Sequence, residues 1–229
     1  MRTGIYGGTF NPIHMGHLHL LEGFIRRLPL DRVLLIPTGT PPHKQAHALA
    51  SAKQRLDMCR LAVAGITEAP VELCEIELRR PGKSYTADTL EGLRALYPAD
   101  DFFLLMGEDM FMTVDSWYRP ETIMALAALC CTPRSQDGLG DLNKKKKQLE
   151  RDFSARCFVE AIPYFPASST QVRELAARGE SLEGLEPPAV ADYIKENGLY
   201  RPDWKEKNHG ELERAHADPH APYRRGGPI

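Results

Sequence analysis

The chain has 229 residues, 42% of them hydrophobic, and a formal net charge of −2. That length bounds one ordinary core with at most a small annex, and the near-neutral charge gives no bulk attraction to nucleic acid or to an anionic membrane. The absence of any run of about 18 apolar residues argues against a spanning helix, and five cysteines (Cys59, Cys74, Cys130, Cys131, Cys157) with no C-x-x-C pair predict buried thiols in a reducing cytoplasm, not a disulfide or zinc framework.

The first residues, Met1 to Tyr6, lack the apolar stretch and cleavage site of a signal peptide. Thr3–Tyr6 reads as a strand that runs straight into a glycine loop. A helix beginning near Met15 follows, with Leu18, Leu21, Phe24, Ile25 and Leu28 at helical spacing on one buried stripe. Further strands are predicted at Arg32–Ile36, Val71–Leu78, Asp101–Met106, Ala128–Thr132 and Cys157–Ala161. Helical patterns fall between them at Ser51–Ala64, Thr86–Leu96, Glu121–Leu126 and Leu142–Ala155. Strand and helix alternating in this way imply a parallel sheet with helices on both faces. Two helices, Ser169–Arg178 and Pro188–Asn197, close the pattern without an intervening strand. The expected fold is α/β: a Rossmann-like, doubly wound parallel sheet of about six strands with C-terminal helices. Lys205–Ile229 is polar and aperiodic and reads as a disordered tail. The run Lys144 to Lys147 lies on a predicted helix and reads as a solvated face.

Chemistry concentrates in the loop Gly7-Gly8-Thr9-Phe10-Asn11-Pro12-Ile13-His14-Met15-Gly16-His17. Gly7 and Gly8 allow close approach of backbone to a ligand and positive φ. The helix N-terminus that follows offers unpaired N–H groups and a positive dipole end, which suit a phosphate. His14 and His17 sit three apart, on one side of the first helical turn, while His19 is expected to point elsewhere. The glycines match neither G-x-G-x-x-G nor the Walker pattern. A zinc reading of the two histidines lacks a third ligand nearby.

These residues resemble the signature of the H-x-G-H nucleotidyltransferases, here His14-Met15-Gly16-His17. That family's second hallmark is matched by Ser168-Ser169-Thr170-Gln171-Val172-Arg173, about 150 residues on. Within the superfamily the chain is most similar to the bacterial nicotinate-nucleotide adenylyltransferases. Pro41-Pro42-His43-Lys44, Ser84 to Leu90, Gly107-Glu108-Asp109, Trp117 and the closing Leu199-Tyr200 carry that resemblance. It covers residues 1–202, expected as one nucleotidyltransferase domain, with 203–229 as a tail outside it.

The resemblance implies that the phosphate of nicotinate mononucleotide attacks the α-phosphorus of ATP, releasing pyrophosphate with help from Mg²⁺. It places Gly7, Gly8, Thr9, Phe10 and Gly107 around ATP. An attacking phosphate is already anionic, so the site needs cations and N–H donors, not a strong base. His14 and His17 fit the triphosphate, and Arg173 its outer phosphates. Ser169 and Thr170 are expected to cap the helix that carries Arg173. Lys44 is expected to bridge the two substrates. Taken alone, Arg173 also fits an ion pair with Glu174 or Glu180, and Lys44 a solvated loop.

At the pyridine end, the N–H groups near Tyr85 and Thr86 suit a carboxylate, and Trp117 suits stacking on the ring. Trp117 fits a packed core position equally well. Asp109 could accept a ribose hydroxyl or cap a short helix over Met110–Asp115. Arg134 is placed near the adenine. Asn11 stands where the family often has Asp, which bears on Mg²⁺ affinity, and no metal-ligating residue is assigned. Rival acceptors are nicotinamide mononucleotide, phosphopantetheine, and a sugar or glycerol phosphate. The rival from another class is a nucleotide-binding module without catalysis. A homo-oligomer is compatible with the sequence.

Overall fold

The structure, a computed structural model, describes residues 1–40, 49–135, 138–202 and 204. Six strands, β1 (Arg2–Gly8), β2 (Arg32–Pro37), β3 (Val71–Leu73), β4 (Asp101–Gly107), β5 (Ala127–Thr132) and β6 (Cys157–Val159), form one sheet in the order β3-β2-β1-β4-β5-β6. Every pairing is parallel. All residues of β2 and of β5 are buried, as expected where helices cover both faces.

The strands alternate between two cores because successive side chains point to opposite faces. Tyr6, Val33, Leu35, Phe103 and Leu105 face one side. There they meet α1 (Met15–Arg27), α2 (Ala52–Val63), α7 (Ser169–Arg178) and α8 (Pro188–Glu196) through Leu21, Phe24, Met58, Val172 and Val190. Ile5, Leu34, Ile36, Phe102 and Leu104 face the other side. They meet α3 (Thr86–Leu96), α4 (Glu108–Thr113), α5 (Pro120–Leu126) and α6 (Leu139–Phe153) through Leu90, Phe111, Ile123 and Leu142.

Several elements depart from the expected bounds. The third strand stops at Leu73 instead of Leu78, because its partner β2 pairs with it only through Leu73. The chain then turns: Arg79 N–H donates to the Glu75 carbonyl, and the buried Glu77 carboxylate accepts the Thr89 hydroxyl. The sixth strand likewise ends at Val159, where Ile162 turns back through bonds to Glu160 and Thr132. The first strand is longer than expected, and Gly7 and Gly8 belong to it, in register with Ile36 and Pro37. Trp204 is buried against Tyr200 and belongs to the first core.

The lysine run on α6 is not a uniformly solvated face. Lys145 is buried and pairs with Asp115 at 2.6 Å, because its position on α6 turns it toward the segment that follows α4.

β1 feeds α1 on one face, and its neighbour β4 feeds α4 on the other. Strand order reverses between them. The carboxyl ends of these two strands, Gly8 and Gly107, therefore flank the crevice where open α/β sheets take ligands.

Candidate active site

The turn after β1 is built around Phe10. Its ring is buried edge-on against Tyr6 at 5.6 Å and His17 at 5.2 Å. A Cβ on Gly8 would lie 2.8 Å from that ring, so only glycine admits it. The positive φ expected of the glycines falls on Phe10 instead, at 46°, a backbone state that bulky residues rarely adopt. Such a state costs about 1–3 kcal/mol and persists where packing dictates it, as these ring contacts do here.

His14 is the residue before α1, and its ring stacks on His17 with centroids 3.7 Å apart. Gly16 makes room for this: a Cβ there would sit 3.0 Å from His14 Nδ1. The spacing H-x-G-H thus has a packing reason as well as a chemical one. His14 N–H donates to His17 Nδ1 at 3.2 Å. With Nδ1 accepting, a neutral His17 carries its proton on Nε2 and can donate from there. His14 Nδ1 is buried and meets no hydrogen-bond partner among the described residues. Burial pushes the His14 imidazole down to about 4, so it is neutral near pH 7.

The second motif docks on the first. Arg173 Nη1 donates to the Asn11 carbonyl at 2.8 Å, and Ser169 Oγ donates to the Pro12 carbonyl at 2.8 Å. Arg173 Nη2 reaches Thr170 Oγ1 at 3.1 Å, while Glu180 pairs with Arg178. The cap of α7 is Ser168, whose hydroxyl accepts Gln171 N–H, and not Ser169 or Thr170 as expected. The reason is register: the helix starts at Ser169, so the cap falls one residue earlier. Neither α1 nor α7 has an acidic residue in its first turn. The Ser169–Pro12 bond ties the start of α7 to the turn that leads into α1, and helix starts without acidic residues suit an anion.

A cleft of about 150 Å³ opens beside this junction, lined by His14, Gly16, His17, Gly107 and Arg134 among others. His19 also lines it, contrary to expectation: its Nε2 bonds to the Pro163 carbonyl at 2.8 Å and its ring lies 5.8 Å from Phe165. Sequence reading missed the wall made by Pro163, Tyr164 and Phe165, since nothing in its spacing marks a site. Asp109 forms an ion pair with Arg134, and Glu108 accepts the Arg134 N–H at 2.7 Å. These bonds tie the loops after β4 and β5 together. The short helix here starts at Glu108, not Met110, which places Asp109 inside its first turn.

The other end lies at the start of α3. Tyr85 precedes the helix and stacks on Tyr118 at 4.6 Å. Arg119 pairs with Glu91 at 2.5 Å, which holds the 117–119 segment against α3. Trp117 is half-buried against the second core and donates Nε1–H to Thr113 Oγ1 at 3.3 Å. Thr86 opens α3, and Lys44 lies outside the described residues.

One further residue was missed. Arg55 is fully buried on α2 and donates to the carbonyls of Thr9 at 2.8 Å and Thr38 at 2.7 Å, and also to those of Ala50 and Gly39. It fastens the turns after β1 and β2 to each other; burial lowers its guanidinium from the usual value. Asn11 uses its side-chain oxygen on Ala50 N–H and Tyr200 O–H, at 3.0 and 2.9 Å. It is a structural tie between the first turn, the approach to α2 and the last described turn. Among the described residues no group of three or more His, Cys, Asp or Glu could hold a metal ion.

A family model described as cytidylyltransferase-like matches residues 5–175. A protein of Dictyoglomus thermophilum named "Probable nicotinate-nucleotide adenylyltransferase" is 38% identical, over 87% of this chain and all of that protein. One of the same name from Geobacter sulfurreducens is 36% identical over 89% of this chain and all of its own length. The fold matches the nicotinic acid mononucleotide adenylyltransferase of Plasmodium falciparum, solved in complex with NaAD. The TM-score is 0.72 at 20% identity, covering 87% of this chain and 97% of that one.

Proposed function

The chain belongs to the nicotinate-nucleotide adenylyltransferases, and we propose that its reaction runs in the crevice between β1 and β4, with ATP held by the His14–His17 turn and the start of α7. The enzyme transfers the adenylyl group of ATP to nicotinate mononucleotide, giving nicotinate adenine dinucleotide and pyrophosphate, a step of NAD biosynthesis. A phosphate oxygen of the mononucleotide bonds to the α-phosphorus. The bond from that phosphorus to the bridging oxygen breaks, and its electron pair leaves with pyrophosphate.

The observation that supports the site assignment is the Arg173–Asn11 bond, which ties α7 to the turn that leads into α1. His17 donates from Nε2 to the triphosphate, and His14 Nδ1, buried and without a hydrogen-bond partner among the described residues, turns to a substrate oxygen. Arg173, already oriented by Asn11 and Thr170, takes the departing pyrophosphate. The ATP side also takes in Gly7, Gly8, Thr9 and Phe10 at the end of β1, and Gly107 at the end of β4, which lines the cleft. Asp109 meets the ribose once Arg134 releases it, and Lys44 bridges the two substrates. The N–H groups at Tyr85 and Thr86 take the carboxylate of the acceptor, and Trp117 takes its ring.

A divalent ion accompanies ATP in such chemistry, and Mg²⁺ is the ion we assign. The described residues offer no carboxylate cage for it. Among the described residues it fits as an ion carried on the phosphate oxygens. Five buried free thiols suit a reducing compartment, and this reading places the enzyme in the cytoplasm.

Incubation with nicotinate mononucleotide and ATP labelled at the α-phosphate tests the reaction. Label in the dinucleotide with unlabelled pyrophosphate is expected. Label in the pyrophosphate fraction, or binding of ATP without turnover, refutes it.

A further inference from the structure

Lys145 is the one lysine of the 144–147 run that reaches the side chain of another element. Lys144 pairs with Asp141 on its own helix, and Lys146 bonds to the Cys157 carbonyl. Lys145 Nζ lies 2.6 Å from Asp115 Oδ2, with its side chain 9% exposed, and Gln148 Nε2 reaches the same oxygen at 3.1 Å. Asp115 sits in the 3-10 turn Val114–Ser116, directly before Trp117. Trp117 N–H closes that turn on the Val114 carbonyl, and its indole bonds to Thr113. From the far side, Arg119 is held by Glu91.

The 114–119 segment is therefore tied chiefly at Asp115, to α6 by Lys145, with the more exposed Arg119–Glu91 pair toward α3. A fully exposed ion pair holds such a turn weakly, whereas this one has a buried lysine, a carboxylate only 23% exposed and a second bond from Gln148. Burial works to raise the Asp115 carboxyl, but the Lys145 ammonium overcomes it and holds the group below the usual carboxylate range.

We propose that Lys145 is a positioning residue for the acceptor, holding Asp115 and with it the turn that sets the Trp117 ring against the pyridine mononucleotide. This rests on the reading of Trp117 as part of the acceptor surface. Lys145 touches neither substrate, so its loss should act on acceptor binding and leave ATP binding alone.

The test is initial-rate kinetics of the full chain with ATP and nicotinate mononucleotide varied separately. The proteins are wild type, Lys145→Met, Lys145→Arg, Asp115→Asn and Trp117→Ala. Lys145→Met and Asp115→Asn should raise KM for the mononucleotide roughly tenfold, as loss of a positioning contact does, with KM for ATP nearly unchanged. Lys145→Arg should restore most of the loss. Equal rises in both KM values, or no rescue by Arg, would mean a general structural role and overturn the proposal. Should Lys145→Met not fold, the near-isosteric Asp115→Asn decides alone. An unchanged acceptor KM in Trp117→Ala removes the acceptor reading and this inference with it. A raised KM there, with none in the Lys145 and Asp115 variants, overturns this inference only.

Discussion

Arg173 on α7 donates to the main-chain carbonyl of Asn11, in the turn after β1, from 162 positions further along the chain. The bond makes the guanidinium a brace for that turn, and the proposed function adds the role of ligand. One nitrogen fixes the turn that presents His14 and His17, and the rest of the group stays at the junction. Lysine cannot replace this fork, since a point charge on a flexible stem does not serve two directions at once. Arg173→Lys should lower kcat and raise KM for ATP together, and steady-state kinetics with ATP varied checks it. Wild-type values in that variant would reduce Arg173 to a surface residue.

His17→Ala should cost roughly 3–4 kcal/mol of transition-state stabilisation, about two to three orders of magnitude in kcat. Its ring contacts Phe10 and His14 but is not fully buried, so the melting temperature should fall by only a few degrees. Turnover and thermal melts measured side by side test this. A large drop in melting temperature with normal turnover would contradict it.

The His14 imidazole lies at about 4 in the folded protein, against its ordinary 6.5. Between those values the unfolded chain binds a proton that the folded one refuses. Stability therefore falls as pH drops through that window and gains nothing further above it. Urea melts at about pH 5 and about pH 7 should show this slope, and His14→Asn should flatten it. An imidazolium signal from His14 at about pH 6 in the free enzyme would contradict the assignment.

Glu186 shows the opposite sign. Both its carboxyl oxygens are buried without a hydrogen-bond partner among the described residues, and burial raises the group to about 9 from 4.5. The folded state keeps it protonated, so its contribution is fully present below 4.5 and is lost as pH rises through about 9. Glu186→Met should melt higher than wild type at about pH 8 and show a flatter profile. A lower melting temperature at that pH would mean that the carboxyl is satisfied.

Residues 205–229 lie beyond the last described core residue, Trp204. A chain ending after Trp204 should retain full adenylyl transfer, measured as pyrophosphate release. Lost catalysis with an unchanged melting temperature would give the tail a functional part.

What the amino-acid pattern revealed divides along a physical line. The pairing of the His14–His17 turn with the Ser168–Arg173 segment is legible only through the family resemblance, since the bond that joins them spans 162 positions and leaves no local pattern. Alternation also exposed the strands, yet it overran at Val71–Leu78. Those residues alternate in polarity, but the edge strand has no pairing left after Leu73. Lys145, Arg55 and Glu186 stayed hidden because their roles depend on what packs over them. A lysine in a run of four, an arginine on an amphipathic helix and a glutamate before two prolines each look solvated until a partner element arrives. The glycine loop was recognised, but its strained residue was misplaced, since the ring of Phe10 decides which position bends.

The most direct measurement is kcat/KM for pyrophosphate release from ATP with nicotinate mononucleotide, set beside that with nicotinamide mononucleotide. A clear preference for the acid is predicted. Equal rates, a preference for the amide, or no release with either would contradict the account.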